Sequence, residues 1–132
     1  MIRTAEKEDY QAVKQLVRQG ESEGTLQHRS KKEIRKSIKR GRTLVAEQDG
    51  EITGTVSVDV HSRRLAEVRS FFVTPTHRGN GTGRQLLEAI LEQPVKILPS
   101  ATIFAITTVP HTFERVGFDQ KQAKSAIVFK RI

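Results

Sequence analysis

The chain of 132 residues contains no cysteine and no tryptophan. Without thiols it has no disulfide, no cysteine nucleophile and no thiolate metal site, a composition suited to a reducing compartment. Aromatic residues make up 5% of the sequence, few for stacking on nucleic-acid bases. No apolar run approaches the roughly 20 residues that cross a bilayer. Residues 1–6 reach mixed charge at once, unlike a signal peptide. A cytoplasmic protein without membrane contact is therefore expected. The four histidines, His28, His61, His77 and His111, lack metal-ligand spacing, so no metal is expected. The G-x-S-x-G elbow of serine hydrolases is also absent.

What remains is long enough for one domain with a real core, spanning 1–132. The net charge is +8, and nearly all of it is concentrated in one stretch. Arg29, Lys31, Lys32, Arg35, Lys36, Lys39, Arg40 and Arg42 face a single acid, Glu33. Such a patch attracts anions: an acidic substrate, a nucleotide or a nucleic acid. A solvated face without a partner is the plain alternative.

Residues 2–4 read as a short strand. From residue 8 to about 19, Tyr10, Val13, Leu16 and Val17 recur at helical steps, and Gly20 and Gly24 are expected to end that helix. Ser30 with Glu33 three residues on is a capping box for the basic helix, which has Ile34 and Ile38 to bury. Residues 43–48 and 52–61 read as strands joined by Asp49-Gly50, a hairpin turn with positive φ at both positions. In the second strand Val56, Val58 and Val60 share one face, opposite Thr55, Ser57 and Asp59. Residues 65–73 form a third strand. A glycine-rich loop and a helix carrying Leu86, Leu87, Ile90 and Leu91 follow, with Pro94 as its stop. The apolar run 103–107 suggests a strand covered on both faces. A short helix over 111–116 ends at Gly117, and strands near 118–121 and 125–130 close the chain. A meander followed by strand–helix–strand implies an α/β (α+β) fold with a mixed sheet and helices on both faces.

The segment that carries chemistry runs Arg78-Gly79-Asn80-Gly81-Thr82-Gly83-Arg84. It joins a strand to a helix. Glycines let backbone N–H groups approach a ligand, and the first turn of the helix adds unpaired N–H groups at its positive end. This is a cradle for a pyrophosphate, to which Arg78 and Arg84 can add charge-assisted contacts. The loop lacks the Gly-Lys-Ser/Thr of a Walker motif, and its G-x-G-x-G spacing and late position differ from a dinucleotide fingerprint.

These residues resemble the Arg/Gln-x-x-Gly-x-Gly/Ala signature of the GNAT N-acetyltransferase superfamily, and Phe113 to Phe118 resembles its late aromatic-x-x-x-Gly-Phe segment. The loop Gly24-Thr25-Leu26-Gln27-His28-Arg29-Ser30 looks like the substrate loop of the N-acetylglutamate synthase type. Ala66-Glu67-Val68 and Phe104-Ala105-Ile106-Thr107-Thr108 also resemble that subfamily, although Val109 stands where such synthases often carry arginine. The resemblance implies a mostly antiparallel GNAT sheet and acetyl-CoA as donor. Its pyrophosphate would lie on Arg78, Gly79, Asn80, Gly81, Thr82, Gly83 and Arg84, beside the strand end Phe71, Phe72 and Val73. It further implies a small-molecule amine as acceptor, with glutamate leading and His28 and Arg29 on its side of the site.

Acetyl transfer needs a neutral amine, a polarised thioester carbonyl and a proton for the leaving thiolate. By the resemblance, Glu67 is the general base; an ion pair with Arg69, two residues on and on the same face, is the structural alternative. Backbone N–H groups near Phe72 or Val73 would polarise the carbonyl. Many relatives protonate the thiolate with tyrosine, but the only tyrosine is Tyr10 and the matching position is Phe113, which leaves water, His111 or Thr112. With no nucleophile elbow, direct transfer in a ternary complex is expected. The alternative is an acetyl-CoA-binding protein or protein acetyltransferase whose basic helix meets an acidic protein or nucleic acid, though few aromatics and no nucleic-acid motif argue against the latter. A homodimer is left open.

Overall fold

The computed structural model describes residues 1–97, 101–120 and 126–131. Strand β1 (Ile2–Thr4) passes through a 3-10 turn (Lys7–Asp9) into α1 (Tyr10–Ser22), and a loop leads to α2 (Lys31–Lys39). The meander β2 (Thr43–Gln48), β3 (Glu51–Ser62) and β4 (Leu65–Val73) follows, then α3 (Thr82–Ile97), β5 (Thr102–Thr107), α4 (Pro110–Glu114), β6 (Asp119–Gln120) and β7 (Ala126–Arg131). The sequence-expected residues Lys121 and Ser125 lie outside the described residues. The strands form one sheet ordered β1-β2-β3-β4-β5-β7-β6, antiparallel throughout except between β4 and β5. Among the described residues no helix is long and apolar enough to cross a membrane.

The hairpin and the cap form as their residues dictate. Asp49 and Gly50 both take positive φ, 53° and 79°. Ser30 accepts the Glu33 N–H while the Glu33 carboxylate accepts the Ser30 N–H, so two orphan donors at the start of α2 are satisfied. Helices cover both faces of the sheet. On one, Leu86, Leu87 and Ile90 of α3 pack on Val56, Val58, Ala66, Val68, Ile103 and Ala105. On the other, Tyr10, Val13 and Val17 of α1 and Ile34 and Ile38 of α2 pack with Val45.

Four expectations need correction. Helix α1 does not end at Gly20 but runs to Ser22. Gly20 is a packing glycine, because a Cβ there would collide with the Leu26 side chain; the chain turns at Gly24, whose φ is 77°. Helix α3 continues through Pro94 to Ile97. A proline deletes only its own N–H bond and strains the turn before it, and the buried ridge Leu86, Leu87 and Ile90 anchors the helix upstream. Strand β5 is not covered on both faces: Ile103 and Ala105 are buried, while Ile106 is exposed and faces a cleft. Val60, at the far end of the valine face of β3, is likewise exposed.

Two irregularities open that cleft. Thr55 pairs with Phe72 but Ser57 pairs with Arg69, so Ser70 and Phe71 together oppose Val56. This is a β-bulge, and Ser70 sits in it with a φ of 55°; a bulge bends its strand and breaks pairing locally. Strand β4 then pairs with β5 only at Leu65, Ala66 and Glu67. Beyond Glu67 the two strands part, and among the described residues no strand pairs with β4 on that side.

Candidate active site

The cleft between the parted strands has a volume of about 440 Å³, the size of a small-molecule site. Glu67 lies at its fork. Residues 68–73 of β4 form one wall, Ile106, Thr107, Thr108 and Val109 the other, and the glycine loop closes one end.

At the loop end, Gly79 and Gly81 take φ values of 84° and 89°, a region that side chains with a Cβ rarely enter. The Gln85 N–H bonds to the Gly81 carbonyl. The N–H groups of Gly83 and Arg84 therefore fall in the first turn, without intrahelical acceptors, on residues that line the cleft. Gly83 also permits close packing, since a Cβ there would stand 3.1 Å from the Phe71 ring. That ring meets Phe113 edge-on at 5.5 Å, and Phe113 meets Phe118 at 5.3 Å.

The polar side chains of the loop build it. Arg78 donates through Nε to the Val73 carbonyl at 2.8 Å, lies over the Phe72 ring at 5.1 Å, and reaches Glu23 at 3.4 Å. It lines the cleft as well. Asn80 Oδ1 accepts the Thr82 hydroxyl at 2.7 Å and the Thr82 N–H at 3.3 Å; neither Asn80 nor Thr82 lines the cleft. Arg84 pairs with Glu88 at 2.6 Å on the surface. Phe71, Phe72 and Val73 line the wall as expected.

At the fork, Glu67 is 8% exposed. Its partner is not Arg69: Oε1 lies 2.8 Å from His61 Nε2, and the His61 ring stacks on Phe104 at 6.0 Å. Asp59 sits opposite Glu67 in the β3–β4 register. Arg29 bonds Asp59 Oδ1 at 2.6 Å and Ser57 Oγ at 3.3 Å. Arg29 is itself 4% exposed, and its buried Nε has no partner among the described residues. Arg69 stands 3.7 Å from Asp59 and 3.9 Å from Glu33, and donates to the His28 carbonyl at 3.3 Å. Glu21 accepts the Arg29 N–H at 2.8 Å and pairs with Arg18, whose guanidinium also holds the Arg29 carbonyl. Burial pushes the Glu21 carboxyl up, but that N–H, Arg18 and His28 outweigh it and leave it below its ordinary value.

The substrate-loop expectation thus lands on a different part of the loop. Thr25, Leu26 and Gln27 line the cleft, whereas His28 is mostly exposed and Arg29 is packed behind it. Of His111 and Thr112, Thr112 lines the cleft. Tyr10 packs in the α1–α2 core under Arg35. Sequence reading missed His61 at the fork and Arg115 in the cleft; it named Arg69 as a partner of Glu67 and Thr107-Thr108 within a resembling segment, without assigning them to the cleft they line. The polar face of β3, Thr55, Ser57 and Asp59, held a signal. Thr55 and Ser57 are fully covered and bond backbone carbonyls, so this face is buried polar structure rather than solvated surface.

The family model of the acetyltransferase (GNAT) domain matches residues 39–120. The chain is 31% identical over 119 residues to an amino-acid acetyltransferase of Azotobacter vinelandii, covering 89% of this chain and 27% of that protein. It is 28% identical over 123 residues to an uncharacterized N-acetyltransferase of Chlorobaculum tepidum, covering 90% of this chain and 75% of that one. Among solved structures, the N-acetylglutamate synthase of Neisseria gonorrhoeae, complexed with coenzyme A and N-acetyl-glutamate, superposes with a TM-score of 0.87 at 23% identity, over 99% of this chain and 34% of that one. With the sheet parted beside a glycine loop and the family model spanning most of the sequence, the chain belongs to the GNAT acetyltransferase domain family.

Proposed function

We propose that this chain moves the acetyl group of acetyl-CoA to the primary amine of a small molecule bearing a carboxylate, such as glutamate. The observation that carries the reading is the parted β4–β5 cleft, with a pyrophosphate cradle at one end and a buried carboxylate, Glu67, at its fork. The Gly83 and Arg84 N–H groups and the Arg78 and Arg84 side chains fit the anionic part of CoA. Backbone N–H groups of β4 beyond Glu67, where no pairing with β5 is recorded among the described residues, would polarise the thioester carbonyl. The amine attacks that carbonyl as Glu67 takes a proton from nitrogen; the C–S bond breaks, and its electron pair leaves on sulfur. Thr112, at the cleft wall, is the side-chain candidate to hand a proton on from water to that sulfur, taking one from water as it gives one up.

The acidic acceptor is supported by the amino-acid acetyltransferase relative and by the N-acetyl-glutamate of the Neisseria synthase complex. Arg29 stays part of this reading, holding Asp59 behind the acceptor end, and exposed His28 stands at its rim as a hydrogen-bonding group. Of His28, Arg29 and Arg69, Arg69 is the one that lines the cleft; among the described residues its guanidinium makes one hydrogen bond, which leaves donors for a carboxylate. Thiol release with acetyl-CoA and a panel of amines tests this: carboxylate-bearing amines should win, and Arg69→Gln should raise their Michaelis constants about 10- to 100-fold. Neutral amines winning, untouched by Arg69→Gln, would remove the acidic acceptor.

A second reading has its own observation. Lys31, Lys32, Arg35, Lys36, Lys39 and Arg40 on α2 are exposed, and none forms an ion pair among the described residues. An unneutralised helix suits an acidic protein or a nucleic acid, with acetylation of a protein as output. RNA or DNA binding that falls steeply with salt would favour it.

A further inference from the structure

The acetyl-transfer reading, on which this inference rests, leaves the amine's proton on a carboxyl that is only 8% exposed. Glu67 must shed it before the next turnover. Its two oxygens stand in different surroundings. Oε1 faces His61 Nε2 at 2.8 Å. Oε2 has no hydrogen-bond partner among the described residues, and Glu67 lines the cleft. His61 reaches outward from there: its side chain is 43% exposed, and the ring is steadied face-on by Phe104 of β5. One carboxylate therefore joins the cleft on one side to a solvent-facing imidazole on the other.

We infer that His61 is a proton relay, carrying the proton that Glu67 takes from the acceptor amine out to bulk water. Oε2 receives the proton as the nitrogen–carbon bond forms. Rotation of the carboxyl group turns that O–H toward His61, and Nε2 of the neutral ring, whose proton is on Nδ1, accepts it. The exposed imidazolium then releases its Nδ1 proton to water, and exchange with water restores the Nδ1–H ring for the next turnover. The other charged groups at the fork have their own partners. Asp59, opposite Glu67, is held by Arg29 at 2.6 Å and faces Arg69 at 3.7 Å. None of the three forms an ion pair or hydrogen bond with Glu67 among the described residues, so they leave the Glu67–His61 contact as the carboxylate's way out.

The test compares His61→Ala, His61→Gln and the unaltered protein, with acetyl-CoA and the best of L-glutamate, L-glutamine, L-lysine and spermidine, by thiol release. Loss of the relay should lower kcat by about 10- to 100-fold, less than loss of the base itself, with little change in the Michaelis constant for acetyl-CoA. Free imidazole added to His61→Ala should restore much of the rate. His61→Gln keeps a hydrogen bond to Glu67 but cannot carry a proton, so it should stay slow. Full activity in His61→Gln, or no response of His61→Ala to imidazole, would reduce His61 to a group that only positions Glu67. If the unaltered protein works and His61→Ala is equally fast, the relay fails and the acetyltransferase reading stands. If the unaltered protein releases no thiol with any amine, both fall.

Discussion

At the loop end of the cleft the groups we propose to work are backbone N–H groups, contiguous in the chain and held by positive φ at Gly79 and Gly81. At the fork they are side chains drawn from separate segments: Arg29 from the loop before α2, Asp59 and His61 from β3, Glu67 and Arg69 from β4 and Phe104 from β5. The loop end needs only local geometry. The fork depends on register, since a one-residue slip between β3 and β4 would turn Asp59 and His61 away from Glu67. A recurrent cofactor can be met by backbone in one way, whereas an acceptor has to be met by side chains specific to it.

The comparison is challenged most strongly at the fork. Glu67→Gln should lower turnover by roughly 10²–10⁴-fold and leave acetyl-CoA affinity unchanged, because the loop end is built independently. The loss should shrink as pH rises and more of the amine is already neutral. Steady-state rates across pH, with calorimetric titration of acetyl-CoA, would check both parts. Weakened acetyl-CoA binding in this variant would mean that the two ends are not separate.

The converse variant, Gly83→Asp, places a Cβ 3.1 Å from the Phe71 ring and a negative charge beside the N–H groups of the first helical turn. Acetyl-CoA binding should weaken by about 10- to 100-fold, as expected when charge-assisted contacts are lost. Gly83→Ala separates the steric part, which Phe71 can relieve by shifting, from the electrostatic part. Undiminished binding of acetyl-CoA to Gly83→Asp would remove the cradle.

Legibility in the sequence followed the same division. The glycine spacing, the Asp49-Gly50 turn and the Ser30–Glu33 box are local patterns with local causes, and each formed as read. Gly20 looked like a helix terminator because its reason is tertiary: Leu26 fills the space a Cβ would need. Pro94 looked like a stop because propensity was weighed without the buried ridge that carries α3 past it. Arg69 looked like the partner of Glu67 because same-face spacing says nothing of the neighbouring strand, where His61 lies closer. The loop 24–30 was rightly placed at the cleft, but which of its side chains turn inward depends on Glu21 and Arg18 clamping the Arg29 backbone, a contact no spacing rule displays.

The smallest expected effect probes how the fork is tied to α2. Ser30 and Glu33 cap that helix, and Glu33 also stands 3.9 Å from Arg69. The Ser30 N–H donates to the Glu33 carboxylate and, with the Ser30 side chain and the charges of Arg29 and Arg69, holds it below the ordinary carboxylate range against the opposing effect of burial. A carboxyl whose folded pKa is depressed contributes stability above its unfolded pKa, near about 4.3, and loses it as pH falls through the folded value. Glu33→Gln should therefore flatten the acid limb of stability below about pH 4.3. Ser30→Ala removes the hydroxyl acceptor but keeps the backbone N–H. It should cost about 1 kcal/mol at neutral pH while leaving most of that acid slope. Urea unfolding of both variants at pH 7 and on the acid limb measures the difference. If the 3.9 Å contact of Glu33 with Arg69 positions that guanidinium, Glu33→Gln should also raise the Michaelis constant of a carboxylate acceptor slightly, whereas an unchanged constant would leave the cap a purely structural device.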